Sequence, residues 1–496
     1  MVREHYSALE RGEELRAHLI ALKQEVKEEQ GRKELLGIVQ EDCSLLEGFL
    51  SHTDPKVRKN AALVLGRLGR QGTAEALYKA YQRETQLFVK SSYLDALYGL
   101  DLTQIKGGLV ERLEELGRYK PDGQEEKHIR AERMALQKLV LSVQGRQSHS
   151  FLGYDGTYEI LLTTGRLYQE VTAGQIKGGK VSILKGGVRA VTSHIKPILG
   201  IRTYRELLFF LDTKKVPGDW EGAAKGVCES NLASLLGKAH GSDGPFYFRL
   251  GIHGRMLLDK RGAFAKKCAF AIEQASGGLL RNSASDYEIE IRLLENRDGT
   301  FLPLVKLYTF QEERFAYRKH TVATSIRPEQ AALAACLAKP YLTEGGQVLD
   351  PFCGVGTMLI ERDNVCHAGY LYGLDTFGQA IEGAKENTKR AGKEIYYIHR
   401  DFFTFEHGYL FDEIITNMPD RGKKSKEEQD ALYEGFFEKA GGLLKGKGKV
   451  ILYSNEKNYV KKQLRIHKEF ALIQEYAMDE KGIYYLFIIE KKEQMQ

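Results

Sequence analysis

The sequence predicts a multidomain protein with an α-helical N-terminal region, a mixed α+β middle region and a doubly wound α/β C-terminal domain. Its 496 residues exceed what one hydrophobic core usually holds. Helical periodicity dominates the first part of the chain, short strands and helices mix from Tyr158, and apolar strands alternate with helices after Ser325. We place the domains at residues 1–148, 149–320 and 321–496.

The composition is that of an ordinary globular protein, with 42% apolar and 28% charged residues. No apolar run approaches the roughly 18 residues that span a bilayer, and the start of the chain has no signal-peptide core. The six cysteines are too sparse for a disulfide framework or a zinc site. We therefore expect a cytoplasmic protein that involves neither a membrane nor a metal.

Positive charge is concentrated in the middle region. The whole chain carries +6, but residues 151–320 hold 25 Lys and Arg against 18 Asp and Glu, while the flanking regions are nearly balanced. A localised positive field suits a polyanionic partner, although an ordinary solvated surface has the same composition.

The N-terminal region contains an internal repeat. The segment 54–68 is echoed 32 residues later, where Val89 and Leu97 take the positions of Val57 and Leu65. Its Asp-Pro start favours the first turn of a helix. The pattern resembles the HEAT repeat, which implies stacked helices and a surface for a protein partner, with a weaker third copy near 129–139. A helical cap over a neighbouring domain is the alternative.

The middle region predicts two mixed units. The first has strands at 158–162 and 180–184 around a helix near 167–176. The second has strands at 246–250, 286–292 and 302–308 and a helix at 263–274, and the turn at 296–299 predicts a hairpin between its last two strands.

The C-terminal domain predicts a parallel sheet covered by helices on both faces. Its strands are expected at 347–350, 370–375, 395–399, 411–416 and 449–454, with helices between them. Two further strands, at 470–476 and 483–490, predict a closing hairpin.

A glycine-rich turn follows the first strand of that sheet, in the sequence Asp350-Pro351-Phe352-Cys353-Gly354-Val355-Gly356-Thr357. Such a turn lets the backbone approach a ligand and directs helix N–H groups toward it. Asp350 would repel a pyrophosphate but can pair with an amine, and Asp375, at the end of the next strand, can bind both ribose hydroxyls. An adenosine that carries an amino acid fits this pattern better than NAD.

These residues resemble motif I and the acidic loop of class I S-adenosylmethionine (SAM) methyltransferases, which have a Rossmann-like seven-stranded core. The resemblance implies that Gly354 and Gly356 lie under the methionine part of SAM, that Asp350 faces its amino group and that Asp375 holds its ribose. Asp401 matches the position that reads adenine, and an exposed turn residue is the alternative. The implied cofactor site also includes Pro351, Phe352, Cys353, Thr357, Phe402 and Asn417.

The fourth strand ends in Asn417-Met418-Pro419-Asp420. Because proline fixes the chain and donates no hydrogen bond, the Met418 carbonyl and the Asn417 side-chain oxygen can both accept from one amino group. Two such acceptors localise the lone pair of an aromatic amine, so no strong base is required. We predict that Asn417, Met418, Pro419 and Asp420 form the catalytic segment.

This segment resembles the Asn-Pro-Pro-Tyr motif of amino methyltransferases that act on nucleic-acid bases. Asp420 stands where the family has an aromatic residue that stacks on the flipped base. We predict that Asp420 instead reads the adjacent N–H and NH₂ groups of guanine, and that Phe402 or Phe403 supplies the stack.

The glycine-rich turn and the upstream segment 314–320 narrow the resemblance to THUMP-associated RNA methyltransferases, which modify the 2-amino group of guanosine in transfer or ribosomal RNA. In that family a basic α+β region binds RNA ahead of the catalytic domain, as residues 151–320 would here. The expected RNA contacts are Arg255, Lys260, Arg261, Arg314, Arg318, Lys319 and Phe403.

The sequence thus predicts SAM-dependent methylation of a guanosine exocyclic amine in tRNA or rRNA. Two alternatives stay open. One is a noncatalytic RNA-binding scaffold with a degenerate methyltransferase fold, which the change at Asp420 favours. The other is methylation of protein glutamine or DNA adenine by the same chemistry, which leaves the basic middle region unexplained.

Overall fold

The computed structural model of the protein describes residues 1–119, 123, 125–144, 149–242 and 244–493. The chain divides into two compact units, Met1–Ser148 and His149–Gln496. The predicted domain limits at Ser148 and Gln496 lie outside the described residues.

Unit 1 is helical throughout its described part. Its helices are α1 (Val2–Glu10), α2 (Leu15–Glu25), α3 (Glu29–Val39), α4 (Ser44–Gly48), α5 (Pro55–Leu68), α6 (Ala74–Arg83), α7 (Leu87–Leu97), α8 (Lys106–Arg118) and α9 (Glu126–Gln144). Asp54 caps α5 by accepting a hydrogen bond from the Lys56 N–H at 2.8 Å. Helices α5 and α7, which carry the repeated segment, pack closely: a Cβ added at Gly66 would lie 2.4 Å from the Cα of Ala96.

The apolar positions of the repeat face a single core. Val57, Leu65, Val89 and Leu97 are all buried in the same hydrophobic cluster of unit 1. The periodicity seen in the sequence therefore corresponds to the packed faces of α5 and α7.

Unit 2 begins with an eight-stranded mixed sheet. Its strands are β1 (Tyr158–Thr163), β2 (Lys180–Leu184), β3 (Gly187–Thr192), β4 (Leu207–Phe210), β5 (Phe246–His253), β6 (Leu280–Asn282), β7 (Ile289–Glu295) and β8 (Phe301–Leu307), in the order β2-β3-β1-β4-β8-β7-β5-β6. The helices in this part are α10 (Gln169–Ala173), α11 (Ile195–Ile198), α12 (Trp220–Cys228), α13 (Leu232–His240) and α14 (Leu258–Ala275). The predicted hairpin is present, because β7 and β8 pair antiparallel. The sequence does not predict strands β3, β4 and β6. Strand β4 is a short, fully buried apolar run without alternation, and β6 has only three residues.

The rest of unit 2 contains a seven-stranded sheet. Its strands are β9 (Gln347–Asp350), β10 (Tyr370–Asp375), β11 (Tyr396–His399), β12 (Phe411–Asn417), β13 (Leu444–Ser454), β14 (Phe470–Ala477) and β15 (Tyr485–Lys491), and its helices are α15 (Pro328–Ala338), α16 (Thr357–Val365), α17 (Gly378–Arg390), α18 (Lys426–Leu443) and α19 (Lys457–Ile466). The order is β11-β10-β9-β12-β13-β15-β14. Strands β9 to β13 pair parallel to one another, and β15 pairs antiparallel to both β13 and β14. The predicted doubly wound sheet with a closing hairpin is confirmed.

This topology positions the site. Strand β9 lies between β10 and β12, so the chain order reverses at β9 and the carboxyl ends of these strands open a crevice there. Asp350, Asp375 and Asn417 are the last residues of β9, β10 and β12. Among the described helices, none is long and apolar enough to cross a membrane.

Candidate cofactor and substrate site

A cavity of about 590 Å³ opens at the carboxyl ends of β9, β10 and β12. Its walls come from the turn after β9, the residues after β10 and β11, the loop between β12 and α18, and the segment 322–326 that precedes α15. A pocket of this size can hold a nucleoside-sized ligand. The predicted site residues that line it are Asp350, Pro351, Phe352, Cys353, Gly354, Thr357, Asp375, Asp401, Phe402, Phe403, Asn417, Met418, Pro419 and Asp420.

Asp350 is a buried carboxyl group with one oxygen in use and one without a partner. Its Oδ1 accepts hydrogen bonds from the Thr416 hydroxyl at 2.7 Å and from the Phe352 N–H at 3.1 Å. Its Oδ2 is buried and has no hydrogen-bond partner in the part of the chain that the structure describes. Burial raises the pKa of this carboxyl to about 7. An ammonium group at Oδ2 would satisfy the unpaired oxygen and favour the ionised form.

Two residues of the turn after β9 have backbone conformations that favour glycine. Gly354 and Gly356 have φ of +51° and +81°, in the left-handed region. At Gly356 a Cβ would also lie 2.1 Å from the Tyr397 hydroxyl, which is itself held 2.8 Å from the Thr388 hydroxyl. Gly356, which the sequence places in the cofactor site, is not among the described residues that line the cavity. It immediately precedes α16, and its missing side chain leaves room for the Tyr397 hydroxyl.

Asp375 is fixed from both sides. Its two carboxylate oxygens accept the N–H groups of Gly354 at 2.9 Å and Phe377 at 2.8 Å. The carboxylate is half-buried and lies on the cavity wall, where its remaining lone pairs can accept hydroxyl groups. This arrangement suits the ribose of an adenosine.

Asp401 lies in an exposed turn and also lines the cavity. It accepts the Phe403 N–H at 2.9 Å and so caps the short 3₁₀ turn Phe402–Thr404. This hydrogen bond explains why an aspartate suits the turn. Recognition of adenine by Asp401 stays a prediction.

The predicted catalytic segment, residues 417–420, is anchored by its backbone. The Met418 N–H donates to the Tyr453 carbonyl at 2.9 Å, and the Gln429 side chain donates to the Pro419 carbonyl at 3.0 Å. The Met418 side chain packs in the hydrophobic core. Within the described residues, the Asn417 side chain, which lines the cavity, makes no hydrogen bond.

Asp420 lies at the exposed end of the same loop and lines the cavity. Partial desolvation raises its pKa, and a hydrogen bond with the Asn455 side chain works in the opposite direction. A carboxylate at this position can accept two adjacent N–H groups of a base.

The two aromatic candidates have different environments. Phe402 is fully buried and contacts Phe352 and Phe436 in an aromatic cluster. Phe403 is 39% exposed and lies over Gly435 of α18, where the missing side chain leaves room for its ring. Only Phe403 of this pair presents an accessible ring to the cavity.

The structure corrects the expectation that Arg314 contacts RNA. Arg314 is buried, donates to the carbonyls of Ile201 and Tyr204 at 3.1 and 2.8 Å, and pairs with Glu312. Its guanidinium also lies 3.6 Å from the centre of the Tyr204 ring. Its charge is therefore used within the fold.

The other basic residues predicted to contact RNA are not among the described residues that line the cavity. Arg255, Lys260 and Lys319 are exposed. Arg261 and Arg318 are half-buried and donate to the carbonyls of Met256 and Ile326, at 2.8 and 3.0 Å. Their contact with RNA stays a prediction.

Two parts of the wall were missed from the sequence. The segment 322–326 contains no recognisable motif. Its position just before the helix that begins at Pro328 is the only sequence signal that it could line the cavity. Lys424 belongs to a conspicuous run of positive charge, 421–426, that follows the catalytic segment. Among the described residues, no group of three or more His, Cys, Asp and Glu is placed to hold a metal.

Comparison with known proteins identifies the catalytic part. Residues 316–484 match the family described as UPF0020, RMKL-like, methyltransferase domain. A tRNA (guanine(10)-N2)-dimethyltransferase of Methanothermobacter thermautotrophicus is 27% identical over 150 residues, which are 29% of this chain and 44% of that protein. A ribosomal protein L11 methyltransferase of Thermotoga neapolitana is 29% identical over 86 residues, 17% of this chain and 32% of that protein. The chain thus spans less than half the length of these curated relatives.

Solved structures share the fold. TrmN from Thermus thermophilus has a TM-score of 0.52 at 20% identity and covers 68% of this chain and 99% of its own. SMU.472, a methyltransferase complexed with SAH, has a TM-score of 0.52 at 15% identity with the same coverage. At these identities the likeness establishes architecture.

The residues present fit SAM. The unpaired Asp350 oxygen matches its ammonium group, the Asp375 carboxylate matches its ribose, and the glycine turn leaves room between them. Residues 316–484 are a methyltransferase domain, and the residues that line its cavity fit S-adenosylmethionine as the cofactor.

Proposed function

We propose that this protein is a SAM-dependent RNA methyltransferase that methylates the exocyclic amine of a guanosine in tRNA or rRNA. In this proposal the basic residues 149–320 are a THUMP-like RNA-binding region, and the HEAT-like helices of residues 1–148 bind a protein partner. Such an enzyme acts in the cytoplasm, where transfer and ribosomal RNA are found.

One observation carries the proposal: a single cavity contains both the unpaired Asp350 oxygen and the unpaired Asn417 amide. The first group suits the ammonium of the methyl donor. The second suits the amine that receives the methyl group. Buried polar groups are usually hydrogen-bonded within a protein, so the unpaired Asp350 oxygen favours a ligand at that point of the cavity. The Asn417 amide, on the wall of the same cavity, favours a second ligand beside the first.

The bound cofactor supplies an electrophilic methyl group on a sulfonium. The Asn417 side-chain oxygen and the Met418 carbonyl accept the two hydrogens of the guanine amine and direct its lone pair toward that methyl. Pro419 has no N–H that could donate to these two acceptors. The hydrogen bond from the Gln429 side chain to the Pro419 carbonyl fixes the position of the segment.

A base inside a helix cannot reach this depth, so the target nucleotide is flipped out of its stack. Phe403 supplies the exposed ring on which the base stacks, and Asp420 accepts the ring N–H beside the amine. Two further facts support RNA guanosine as substrate. The Methanothermobacter relative is a tRNA (guanine(10)-N2)-dimethyltransferase, and residues 151–320 carry a net positive charge.

Nucleoside mass spectrometry tests the proposal. Transfer and ribosomal RNA from cells with and without the gene are digested and compared, and the purified protein with SAM is then added to RNA from the deletion cells. We expect one N2-methylated guanosine to be lost on deletion and restored in vitro. Unchanged nucleosides in both RNA classes, or methylation of DNA or protein instead, would reject the proposed substrate.

A further inference from the structure

The cavity has an uneven distribution of charge. Four of its lining residues are acidic: Asp350, Asp375, Asp401 and Asp420. Lys424 is the single basic residue among the described residues that line it. Any account of the ligands must therefore explain both the acidic majority and this one lysine.

Lys424 has a fixed backbone and an unpaired side chain. Its N–H donates to the Arg421 carbonyl at 2.9 Å, in a turn that contains Gly422 at φ +55°. On the C-terminal side, Ser425 and Glu428 form a capping box that fixes the start of α18. Within the described residues the Lys424 ammonium makes no ion pair or hydrogen bond, although Asp420 precedes it by four positions.

The acidic residues suit the cofactor, which brings a sulfonium and an ammonium group. A lysine beside those two groups would repel them, whereas an anionic group of the cofactor or of the substrate would attract it. Lys424 follows the catalytic segment on the same loop, four positions after Asp420, and both residues line the cavity. This place in the chain favours the side of the cavity where the substrate enters, which is its mouth. The anionic group that every RNA nucleotide brings to such a mouth is its phosphate.

We propose that Lys424 binds a phosphate of the flipped nucleotide and so fixes the RNA backbone at the mouth of the cavity. This inference rests on the proposed function and assigns the lysine to the substrate rather than to the cofactor. A nucleotide flips by rotation about its own phosphates. A cation that binds one of these phosphates therefore stabilises the flipped-out position of the base. The anchored turn keeps the Lys424 backbone in place, and its unpaired ammonium is available for the contact.

The test compares Lys424→Ala with Lys423→Ala and Lys424→Arg. Lys423 is the matched control, because it is exposed, carries the same charge and does not line the cavity. The RNA is the tRNA or rRNA fraction, taken from cells that lack the gene, that the wild-type protein methylates. Methyl transfer gives kcat and KM for RNA at several salt concentrations, and calorimetry gives the Kd for SAM.

We expect Lys424→Ala to raise KM for RNA about tenfold with the Kd for SAM unchanged, as for the loss of one charge-assisted contact. The slope of log KM against log salt should fall by roughly 0.7 to 0.9, the value for one phosphate contact. Lys424→Arg should retain most of the affinity, and Lys423→Ala should change KM less than about twofold.

Three results would overturn the inference alone. They are an unchanged KM in Lys424→Ala, an equal rise in Lys423→Ala, which would indicate diffuse attraction, and a weakened Kd for SAM, which would assign the lysine to the cofactor's carboxylate. If the wild-type protein transfers no methyl group to either RNA fraction, the proposed function fails and the inference falls with it.

Discussion

Arg202 and Glu361 form a bidentate ion pair that joins the region of the eight-stranded sheet to the methyltransferase domain. Both N–O distances are 2.7 Å. Glu361 is completely buried on α16, the helix that begins at the glycine turn. The Tyr317 hydroxyl donates to the same carboxylate at 2.7 Å, and the guanidinium lies over the ring of Phe315. The connecting segment and both parts of unit 2 therefore meet at one carboxylate.

Replacing Glu361 with Gln should destabilise the protein strongly. The change leaves a largely buried guanidinium without its charge partner, and breaking such pairs costs about 3 to 5 kcal/mol of unfolding free energy. Arg166→Ala is the matched control, because Arg166 and Glu480 also join the two parts but are 52% and 44% exposed. That change should cost less than about 1 kcal/mol. Urea denaturation of both variants measures the difference, and equal losses would contradict it.

Asp375→Ala should weaken SAM binding roughly ten- to hundredfold. The variant loses charge-assisted bonds to the ribose worth about 1.5 to 3 kcal/mol. It also removes the acceptor for the Gly354 and Phe377 N–H groups, so the turn itself loosens. Calorimetry with SAM gives the affinity. A wild-type protein that does not bind SAM at millimolar concentration would contradict the assignment of the whole site.

The buried Asp350 should make both stability and SAM binding depend on pH. Its pKa is raised from 3.8 to about 7 in the folded protein. Between about pH 4 and 7 the folded state therefore holds a proton that the unfolded chain has released, so the free energy of unfolding falls as pH rises through this window. The contribution is at most about 4 kcal/mol and is constant above the folded pKa.

Asp350→Asn separates this effect from other titrations. The variant cannot ionise, so we expect a flatter pH dependence of the unfolding free energy and higher stability than wild type at pH 8. SAM favours the ionised carboxylate, so wild-type affinity should increase from pH 5 to 7, whereas the variant should bind weakly throughout. Urea titrations and calorimetry at pH 5, 6, 7 and 8 measure both quantities. An identical pH slope in the two proteins would contradict the role of Asp350.

The parts of the site that follow strand ends were predictable from sequence. Asp350, Asp375 and Asn417 each close an apolar strand of a parallel sheet, and the ends of such strands meet at one edge whatever the details of packing. The glycines were predictable for the same local reason, since a turn between strand and helix selects left-handed φ.

The environment of Arg314 was not predictable, because it depends on contacts between distant segments. Its acceptors are carbonyls 113 and 110 residues earlier in the chain, at Ile201 and Tyr204. In the sequence the same residue stands in a basic and aromatic run that resembles an RNA contact. Lys424 shows the converse: the charge run was visible, but only the fold brings that one lysine to the cavity wall.

Asn417→Ala should lower kcat strongly while the Kd for SAM stays nearly unchanged. The side chain makes no hydrogen bond within the described protein, so its removal costs no internal hydrogen bond, whereas the transition state loses an acceptor for the reacting amine. Single-turnover methyl transfer and calorimetry on the same preparation separate the two effects. A parallel loss of SAM affinity would show that Asn417 supports the cofactor site.

Asp420 should decide which base is methylated. The Watson–Crick edge of guanine presents a ring N–H beside the amine, and a carboxylate can accept this N–H while the amine hydrogens go to Asn417 and Met418. Adenine and cytosine instead present a ring acceptor that a carboxylate repels. The nearby exposed ring of Phe403 provides the stack that an aromatic residue at position 420 would otherwise supply. Asp420→Asn should therefore reduce discrimination for guanine, and Phe403→Ala should raise KM for RNA without changing base choice.

Asp420→Tyr discriminates between an active enzyme and a degenerate scaffold. In an enzyme that reads guanine through Asp420, the tyrosine removes the carboxylate and adds a second ring where Phe403 already stacks, so methyl transfer should fall. In a scaffold that lost activity when the aromatic residue was replaced, the same change should restore it. Methyl transfer to guanosine-containing RNA is measured for both proteins under identical conditions. An increase from a near-zero wild-type rate would reject the enzymatic proposal in favour of the scaffold.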